Sequence, residues 1–184
     1  MPKVVLEIIG LIALGVGSRL IPHLPNMTAL SAVALKSRVR FGTLGLVLPI
    51  VSMLISDILI GFYEWRLLVS VYASFVLVGM LGTFLTKISA VRVAGISMLG
   101  SLLFFLITNS IVWATSPWYA KTIIGLVTAY SAGIPFLIAM LFGDVLFSLA
   151  LFHGFSWILI KRFTGNAENT PQLAAGYESA YFQK

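Results

Sequence analysis

The residues best suited to chemistry in this sequence are a few charged side chains set inside long apolar stretches. Asp57 and Asp144 each stand among aliphatic and aromatic residues, and Arg19 lies at the end of the first apolar stretch. A charged side chain near the centre of a bilayer costs about 2.5–3.5 kcal/mol, so it requires a partner, a water-filled cavity or a change of protonation state. Arg19, His23 and Lys121 are the natural partners of the two carboxylates.

Two interpretations of these carboxylates remain open from the sequence. In the first, they form structural ion pairs that lock helices together, and in the second they belong to a polar cluster that binds a ligand. Asp57 lies toward the end of its apolar stretch, so simple exposure at the membrane interface is a third interpretation for it.

A short turn rich in polar groups follows Arg19. Pro22 and Pro25 stiffen it, and it also carries His23 and Asn26. Such a turn can present a guanidinium, an imidazole and an amide to a polar solute. Capping of the next helix by Asn26 or by the following Thr28 explains those two residues equally well.

A second group of candidates lies near the end of a later apolar stretch. Asn109 and Trp113 are one helical turn apart, and Tyr119 follows in a turn that contains proline. An Asn in a span often forms a hydrogen bond to a neighbouring helix, and Trp and Tyr are typical of the aromatic belt at the membrane interface. The alternative is that these three side chains face a ligand pocket.

We predict no catalytic residues, metal site or cofactor. The chain has no Cys and 2 His, so a protein-built zinc site is not expected. Phosphate loops, nucleophile elbows and zinc-protease motifs are absent from the sequence. An intramembrane enzyme remains one hypothesis, and it requires that Asp57 and Asp144 form a protease dyad across a watery cavity.

The composition indicates that lipid surrounds these groups. Hydrophobic residues make up 59% of the chain and charged residues 10%, whereas soluble domains carry about 25% charged residues. We attribute the net charge of +6 to positive-inside topology signals, so nucleic acid is not an expected partner.

We predict an all-α fold, a polytopic transmembrane bundle with about six crossings and both termini cytoplasmic. Basic residues recur near 3, 36–40, 87–92 and 161–162, and they alternate with turns that are poorer in Lys and Arg. This alternation requires that the region from 118 to 162 cross once. We therefore expect one helix over 135–162, starting at Pro135, and a short outer or re-entrant helix over 119–133. Seven crossings with a break at Gly143-Asp144 are the alternative.

The chain divides into a transmembrane bundle over 1–164 and a polar tail over 165–184. The tail is rich in Asn, Glu and Gln, and we expect it to be a flexible aqueous segment without a function of its own.

Short motifs in a fixed order mark a resemblance to a known group of proteins. The chain resembles an uncharacterised family of small bacterial membrane proteins that is similar to the substrate-binding S components of energy-coupling factor transporters. The resemblance spans about residues 10–155. The motifs are Ser18-Arg19-Leu20-Ile21-Pro22-His23-Leu24-Pro25-Asn26-Met27-Thr28, Leu48-Pro49, Ser56-Asp57, Gly61-Phe62, Phe104-Phe105, Thr108-Asn109, Trp113, Tyr119, Gly125-Leu126, Ile134-Pro135-Phe136 and Gly143-Asp144.

The resemblance implies a six-helix bundle in the bacterial cytoplasmic membrane, with a pocket open to the outside for a vitamin or a related small metabolite. Energy would come from a coupling subunit and separate ATPases. The expected ligand-binding residues are Arg19, His23, Asn26, Asp57, Asn109, Trp113, Tyr119 and Asp144. The alternative function is that of an accessory structural subunit in a larger energy-converting or photosynthetic membrane complex.

Overall fold

The computed structural model describes residues 3–154, and all regular structure within them is helical. The helices are α1 (Lys3–Leu20), α2 (Leu30–Phe41), α3 (Val47–Ile60), α4 (Trp65–Leu81), α5 (Ala90–Thr115) and α6 (Ile123–Leu149). Short 3₁₀ turns cover Gly42–Leu46 and Gly82–Phe84, and a π-helical turn, Ala150–Gly154, continues α6. The predicted all-α class is confirmed for this part of the chain.

Four helical stretches are long and apolar enough to cross a membrane: Leu30–Ile60, Trp65–Phe84, Ala90–Thr115 and Ile123–Gly154. Their outward faces are covered with aliphatic and aromatic side chains, such as Ile58, Val69 and Phe142. A surface of this kind is stable in hydrocarbon and not in water. The chain is therefore a helical membrane protein.

The first of these stretches reverses direction inside itself. Gly42 ends α2 with a φ of +63°, a left-handed value that favours glycine. The next turn folds back on α2 so closely that a Cβ on Gly45 would lie 2.0 Å from the carbonyl oxygen of Ser37. Leu30–Ile60 is thus two antiparallel helices joined by a tight glycine-containing turn.

Contacts between the helices show that all six described helices alternate in direction. Ser18 of α1 contacts the start of α2, while Glu7 at the other end of α1 pairs with Arg40 at the end of α2. The same antiparallel pairing continues down the chain, since Tyr72 of α4 contacts Asp57 of α3 and Ser110 of α5 contacts Tyr130 of α6. Helices α1, α3 and α5 run one way and α2, α4 and α6 the other.

The alternation gives the bundle two distinct ends. We name the aromatic end after the linkers 21–29, 61–64 and 116–122, beside which most of the Trp residues lie. We name the basic end after the linkers 42–46 and 82–89, next to which lie Arg38, Arg40 and Arg92.

Helix α2 occupies the centre of the bundle. It has 12 residues, about 18 Å at 1.5 Å per residue, and it packs against each of the other five helices. Leu30 to Leu35 are all at most 2% exposed. The helix extends beyond Arg38 to Phe41, and its last turns, which include Arg40, are partly exposed.

The region around Pro135 differs from the sequence prediction. Helix α6 runs unbroken from Ile123 to Leu149 with Pro135 inside it, so residues 119–133 form no separate short or re-entrant helix. Gly143 and Asp144 also lie inside this helix, which contradicts the break that seven crossings required. Proline is tolerated within membrane helices because neighbouring helices and local adjustments satisfy the freed backbone groups. The predicted extension to 162, the domain boundary at 164 and the tail lie outside the described residues.

Candidate functional site

A buried ion pair lies at the aromatic end of the bundle. Nη2 of Arg19, in the last turn of α1, is 2.6 Å from Oδ1 of Asp57 in α3. Nη1 of Arg19 donates to Oγ of Ser56 at 2.6 Å and to the carbonyl of Met53 at 3.3 Å. The hydroxyl of Tyr72 in α4 donates to Oδ2 of Asp57 at 2.8 Å. We call Arg19, Ser56, Asp57 and Tyr72 the Arg19–Asp57 cluster.

The local sequence explains why these side chains meet. Gly61 ends α3 with a φ of +108°, and its N–H donates to the carbonyl of Asp57. The side chain of Glu64 then caps α4 by accepting from the N–H of Leu67. The resulting short linker makes α3 and α4 antiparallel neighbours, so Tyr72 reaches Asp57 across the interface.

The cluster places one positive and one negative charge in a site that is mostly closed to solvent. The side chain of Asp57 is 0% exposed and that of Arg19 is 16% exposed. Each oxygen of the carboxylate has a partner, the guanidinium for Oδ1 and the Tyr72 hydroxyl for Oδ2. A buried carboxylate is tolerated when it is paired and hydrogen-bonded in this way. Arg19 is therefore the charged member of the cluster that a solute could reach.

Tyr63 lies beside the cluster, in the linker between α3 and α4. Its partial burial raises the pKa of the phenol to about 12, the charge of Asp57 adds to the rise, and Arg19 opposes it. Tyr63 is thus a neutral hydrogen-bonding group next to the ion pair at physiological pH.

His23 and Asn26 stay in the turn that the sequence analysis singled out. Both are exposed, Nδ1 of His23 donates to the carbonyl of Ile21 at 2.6 Å, and Asn26 has a left-handed φ of 64°. Neither Asn26 nor Thr28 caps α2, because the N-cap residue of this helix is Ala29. Instead, Oγ of Ser18 in α1 accepts from the N–H of Ala29 at 3.0 Å.

Asn109, Trp113 and Tyr119 lie along the last turns of α5 and in the linker that follows. The amide of Asn109 donates to the carbonyl of Phe105 in its own helix, at 2.9 Å. Nε1 of Trp113 donates to the carbonyl of Ala120 at 2.9 Å, and Lys121 donates to the carbonyls of Trp113 and Ser116. Trp113 and Lys121 thus fasten the 116–122 linker, in which Tyr119 is half-buried.

Asp144 lies apart from the ion pair, in the α5–α6 interface. It is 1% exposed, and its Oδ2 lies 2.6 Å from Oγ of Ser101 in α5. Ser31 of α2 is beside the same carboxyl group, although its hydroxyl lacks good hydrogen-bonding geometry. Asp57 and Asp144 therefore have different partners on different helices, and the structure does not join them in one dyad.

The eight candidate residues thus separate into three places: the Arg19–Asp57 cluster with its adjoining 21–29 turn, the end of α5 with its linker, and the Asp144 site.

None of the eight lines the surface groove of about 440 Å³ at the aromatic half of the bundle. That groove is apolar and lies between the 21–29 linker and the middle of α6. Its walls are Leu24, Pro25, Pro135, Phe136, Ile138, Ala139 and Phe142.

Several partners of these residues escaped the sequence analysis, above all Ser56, Tyr72 and Ser101. A usable signal was present, because buried serines recur four residues apart in the apolar helices. The pairs are Ser52 and Ser56, Ser70 and Ser74, and Ser97 and Ser101. Residues four apart share one helix face, so each pair marks a face turned toward the interior.

Among residues 3–154, no group of three or more His, Cys, Asp or Glu side chains could hold a metal ion.

A family model described as a family of unknown function, DUF6580, matches residues 2–172. The chain belongs to this family. The DUF6580 match includes all six helices and therefore every candidate site. No curated protein and no solved structure matches the chain.

Proposed function

We propose that this DUF6580 protein is a membrane-embedded substrate-binding subunit, similar to the S components of energy-coupling factor transporters, and that it takes up a small metabolite or vitamin. The observation that carries the proposal is the Arg19–Asp57 cluster. It keeps a guanidinium that is 16% exposed at one end of an otherwise apolar bundle. Fixed charges at membrane depth are expensive, and they commonly mark substrate pathways.

The cluster supports a particular class of ligand. Arg19 is already paired with one carboxylate, and the guanidinium has five N–H donors in a planar fork. The hydrogen bonds and the ion pair of Arg19 within the described residues use Nη1 and Nη2, so a further acceptor group of a ligand can approach the guanidinium edge from the exposed side. Tyr63, held neutral, can donate to the same ligand. A small solute with an acidic or carbonyl oxygen fits this set of donors.

We propose six crossings with both termini in the cytoplasm and the aromatic end outside. Six helices of alternating direction support this arrangement, as does the position of Arg38, Arg40 and Arg92 at the opposite end. Lys and Arg are enriched in cytoplasmic loops. The membrane would be the cytoplasmic membrane of a bacterium, as the family resemblance implies.

We place the coupling partner on the free face of α1. Gly10 and Ala13 are exposed, and Cβ atoms added at Gly10 or Gly17 would meet no atom within 4 Å. These small residues therefore pack against nothing in the described chain. Small residues allow close helix contact in membranes, so this face suits a coupling subunit to which separate ATPases would attach.

The test is mass spectrometry of small molecules that remain bound to gently extracted protein. We expect one metabolite to co-purify with the wild type and to be lost from Arg19→Lys, because lysine does not reproduce the planar fork. Arg66→Lys is the matched control, since Arg66 is exposed and stacks over the Trp65 ring at the same end. Equal ligand content in both variants, or no ligand in the wild type, would contradict the proposal.

The second candidate is an accessory structural subunit of a larger membrane complex. It is favoured by the groove beside α6, which is apolar and open to the lipid, and by ionised groups that satisfy one another within the bundle. Native electrophoresis of mildly solubilised membranes distinguishes the two functions. A large assembly with pigments or redox centres supports the structural subunit, and a small particle with bound metabolite supports uptake.

A further inference from the structure

Asp144 is a buried acid without a basic partner among residues 3–154. It lies in the second half of α6, where α6 packs against α2 and α5, and it is 1% exposed. Both ion pairs found among residues 3–154 involve other acids, Asp57 and Glu7. An ionised carboxylate without a counter-charge is very costly in a low-dielectric interior.

The hydrogen bonds of Ser101 show how this cost is avoided. Its Oγ lies 2.6 Å from Oδ2 of Asp144 and 3.1 Å from the carbonyl oxygen of Ser97. A serine hydroxyl has one proton and can donate to only one of these two acceptors. The backbone carbonyl can only accept, so both contacts are satisfied when Ser101 donates to Ser97 and a protonated Asp144 donates to Ser101.

Buried hydroxyls around the carboxyl group agree with a neutral acid. Ser31 lies beside Asp144, and its Oγ is buried without another hydrogen-bond partner in the described part of the chain. Ser148 follows Asp144 by four residues on the same face of α6, and it is also fully buried. Within the described residues, this site of one acid and neutral hydroxyls supplies donors and acceptors for a carboxylic acid and no positive charge for a carboxylate.

The charged groups on the helices that face Asp144 are engaged elsewhere. On α2, Lys36 lies over the ring of Phe152, 4.9 Å from its centroid, and on α5 Arg92 donates to Thr86. His153 lies in the π-helical turn two turns beyond Asp144. The remaining basic residues of α2 are Arg38, which donates to Thr43, and Arg40, which pairs with Glu7.

We propose that Asp144 is a proton-binding site, which carries one proton while α6 is packed against α2 and α5. Release breaks the O–H bond of the carboxyl group and passes the proton to water, so it requires that water first reach this interface. Separation of α6 from α2 and α5 is therefore coupled to proton release. The inference goes beyond the proposed uptake function and does not depend on it, since it concerns different residues and no metabolite.

The test is infrared spectroscopy of the full chain in lipid nanodiscs at neutral pH. We expect wild-type protein to show the C=O stretch of a protonated carboxyl group, at higher frequency than the amide I band, and Asp144→Asn to lose it. Glu64→Gln is the matched control and should retain the band, because Glu64 is an exposed helix cap. Asn is neutral and keeps a donor, so the unfolding temperature of Asp144→Asn should stay close to that of the wild type.

A second variant keeps the test valid if Asp144→Asn does not fold. Ser101→Ala removes the acceptor of the acid proton, so the band should remain and shift to higher frequency. The proposal is overturned if the wild type lacks the band, if Asp144→Asn retains it, or if Ser101→Ala leaves its frequency unchanged. A further result would also overturn it. If the wild type lacks the band and unfolds at a higher temperature with sodium than with choline, the site binds a metal cation.

Discussion

At the scale of single residues, the Arg19–Asp57 cluster joins three helices through one carboxylate. Asp57 of α3 accepts from Tyr72 of α4 and pairs with Arg19 of α1. A buried pair contributes little net stability compared with apolar residues, but removal of one partner leaves an uncompensated charge. The cluster therefore makes the packing of these helices depend on all of its members being present.

We expect Arg19→Ala to destabilise the bundle by about 3–5 kcal/mol, because it strands the Asp57 carboxylate in a buried site. Unfolding by a denaturing detergent in mixed micelles measures the effect. Arg66→Ala should change stability little, since Arg66 is exposed. Arg19→Met combined with Asp57→Leu removes both charges and should recover most of the loss, and a double variant as unstable as Arg19→Ala would show that charge is not the cause.

The raised pKa of Tyr63 predicts that the stability of the protein depends on pH in the alkaline range. Its pKa is raised from 10 to about 12 in the folded protein. Between these values the unfolded chain has lost the phenolic proton while the folded chain keeps it, so the free energy of unfolding must fall as the pH rises. Below pH 10 the contribution is constant.

Tyr63→Phe should remove this part of the alkaline loss and leave the rest. The measurement is the free energy of unfolding of both proteins across the pH window from about 10 to 12. The two curves should be parallel below the window, and within it the wild-type curve should fall relative to that of Tyr63→Phe. Curves that remain parallel throughout would show that Tyr63 ionises equally easily in both states.

At the scale of helices, α2 is the element around which the others are arranged. Its buried residues are small or aliphatic, as in Ala32, Val33 and Ala34, and residues of this kind are suited to a segment that is surrounded by other helices. Glycines allow its neighbours to approach closely. A Cβ on Gly79 of α4 would lie 2.6 Å from the side chain of Leu46, and 3.4 Å from the carbonyl oxygen of Ala34.

Gly45→Ala should destabilise the protein by about 1–3 kcal/mol, as overpacking does in a tight interior. The added Cβ would lie 2.0 Å from the Ser37 carbonyl oxygen, and backbone atoms cannot turn aside as a side chain can. Detergent unfolding measures the loss. Gly17→Ala is the control, because its Cβ would meet nothing within 4 Å and alanine favours a helix by up to about 1 kcal/mol. Equal effects in the two variants would contradict the tight turn at Gly45.

At the scale of the whole molecule, the alternation of six helices separates two kinds of surface. Arg38, Arg40 and Lys87 are found at or beside the linkers of one end, and Trp113 and Trp118 are found at the other. Lys and Arg orient a membrane protein by remaining in the cytoplasm, while Trp and Tyr occupy the interface regions. The two ends thus define how the bundle should be oriented.

This orientation can be tested with single cysteines, because the natural chain has none. Trp118 and Lys87 are both exposed and lie at opposite ends. A membrane-impermeant maleimide should label Trp118→Cys in intact bacteria and Lys87→Cys only after the membrane is opened. The reverse pattern would invert the proposed topology, and labelling of both positions in intact cells would rule out a barrier between the two ends.

The sequence predicted the helices better than the contacts between them. The apolar composition was sufficient to predict the all-α class. Pro135 was misleading, because the preference of residues before proline against helical geometry is a local effect, which packing within a membrane overrides. Arg19 was among the partners expected for Asp57, and the structure confirms it. The serine and tyrosine partners of Asp57 and Asp144 were out of reach, because a serine or tyrosine inside an apolar helix does not reveal which neighbour it faces.

By itself, the sequence determined that lipid surrounds the chain and that its regular structure is helical. So few charges among so many apolar residues require lipid, and lipid requires that every backbone group be satisfied within a helix or a barrel. Only the tertiary structure decided that Arg19 neutralises Asp57 and that Asp144 stays without a basic partner in the part of the chain that it describes. Those pairings depend on which helix faces meet, and α2 at the centre fixes them by contacting all the other helices.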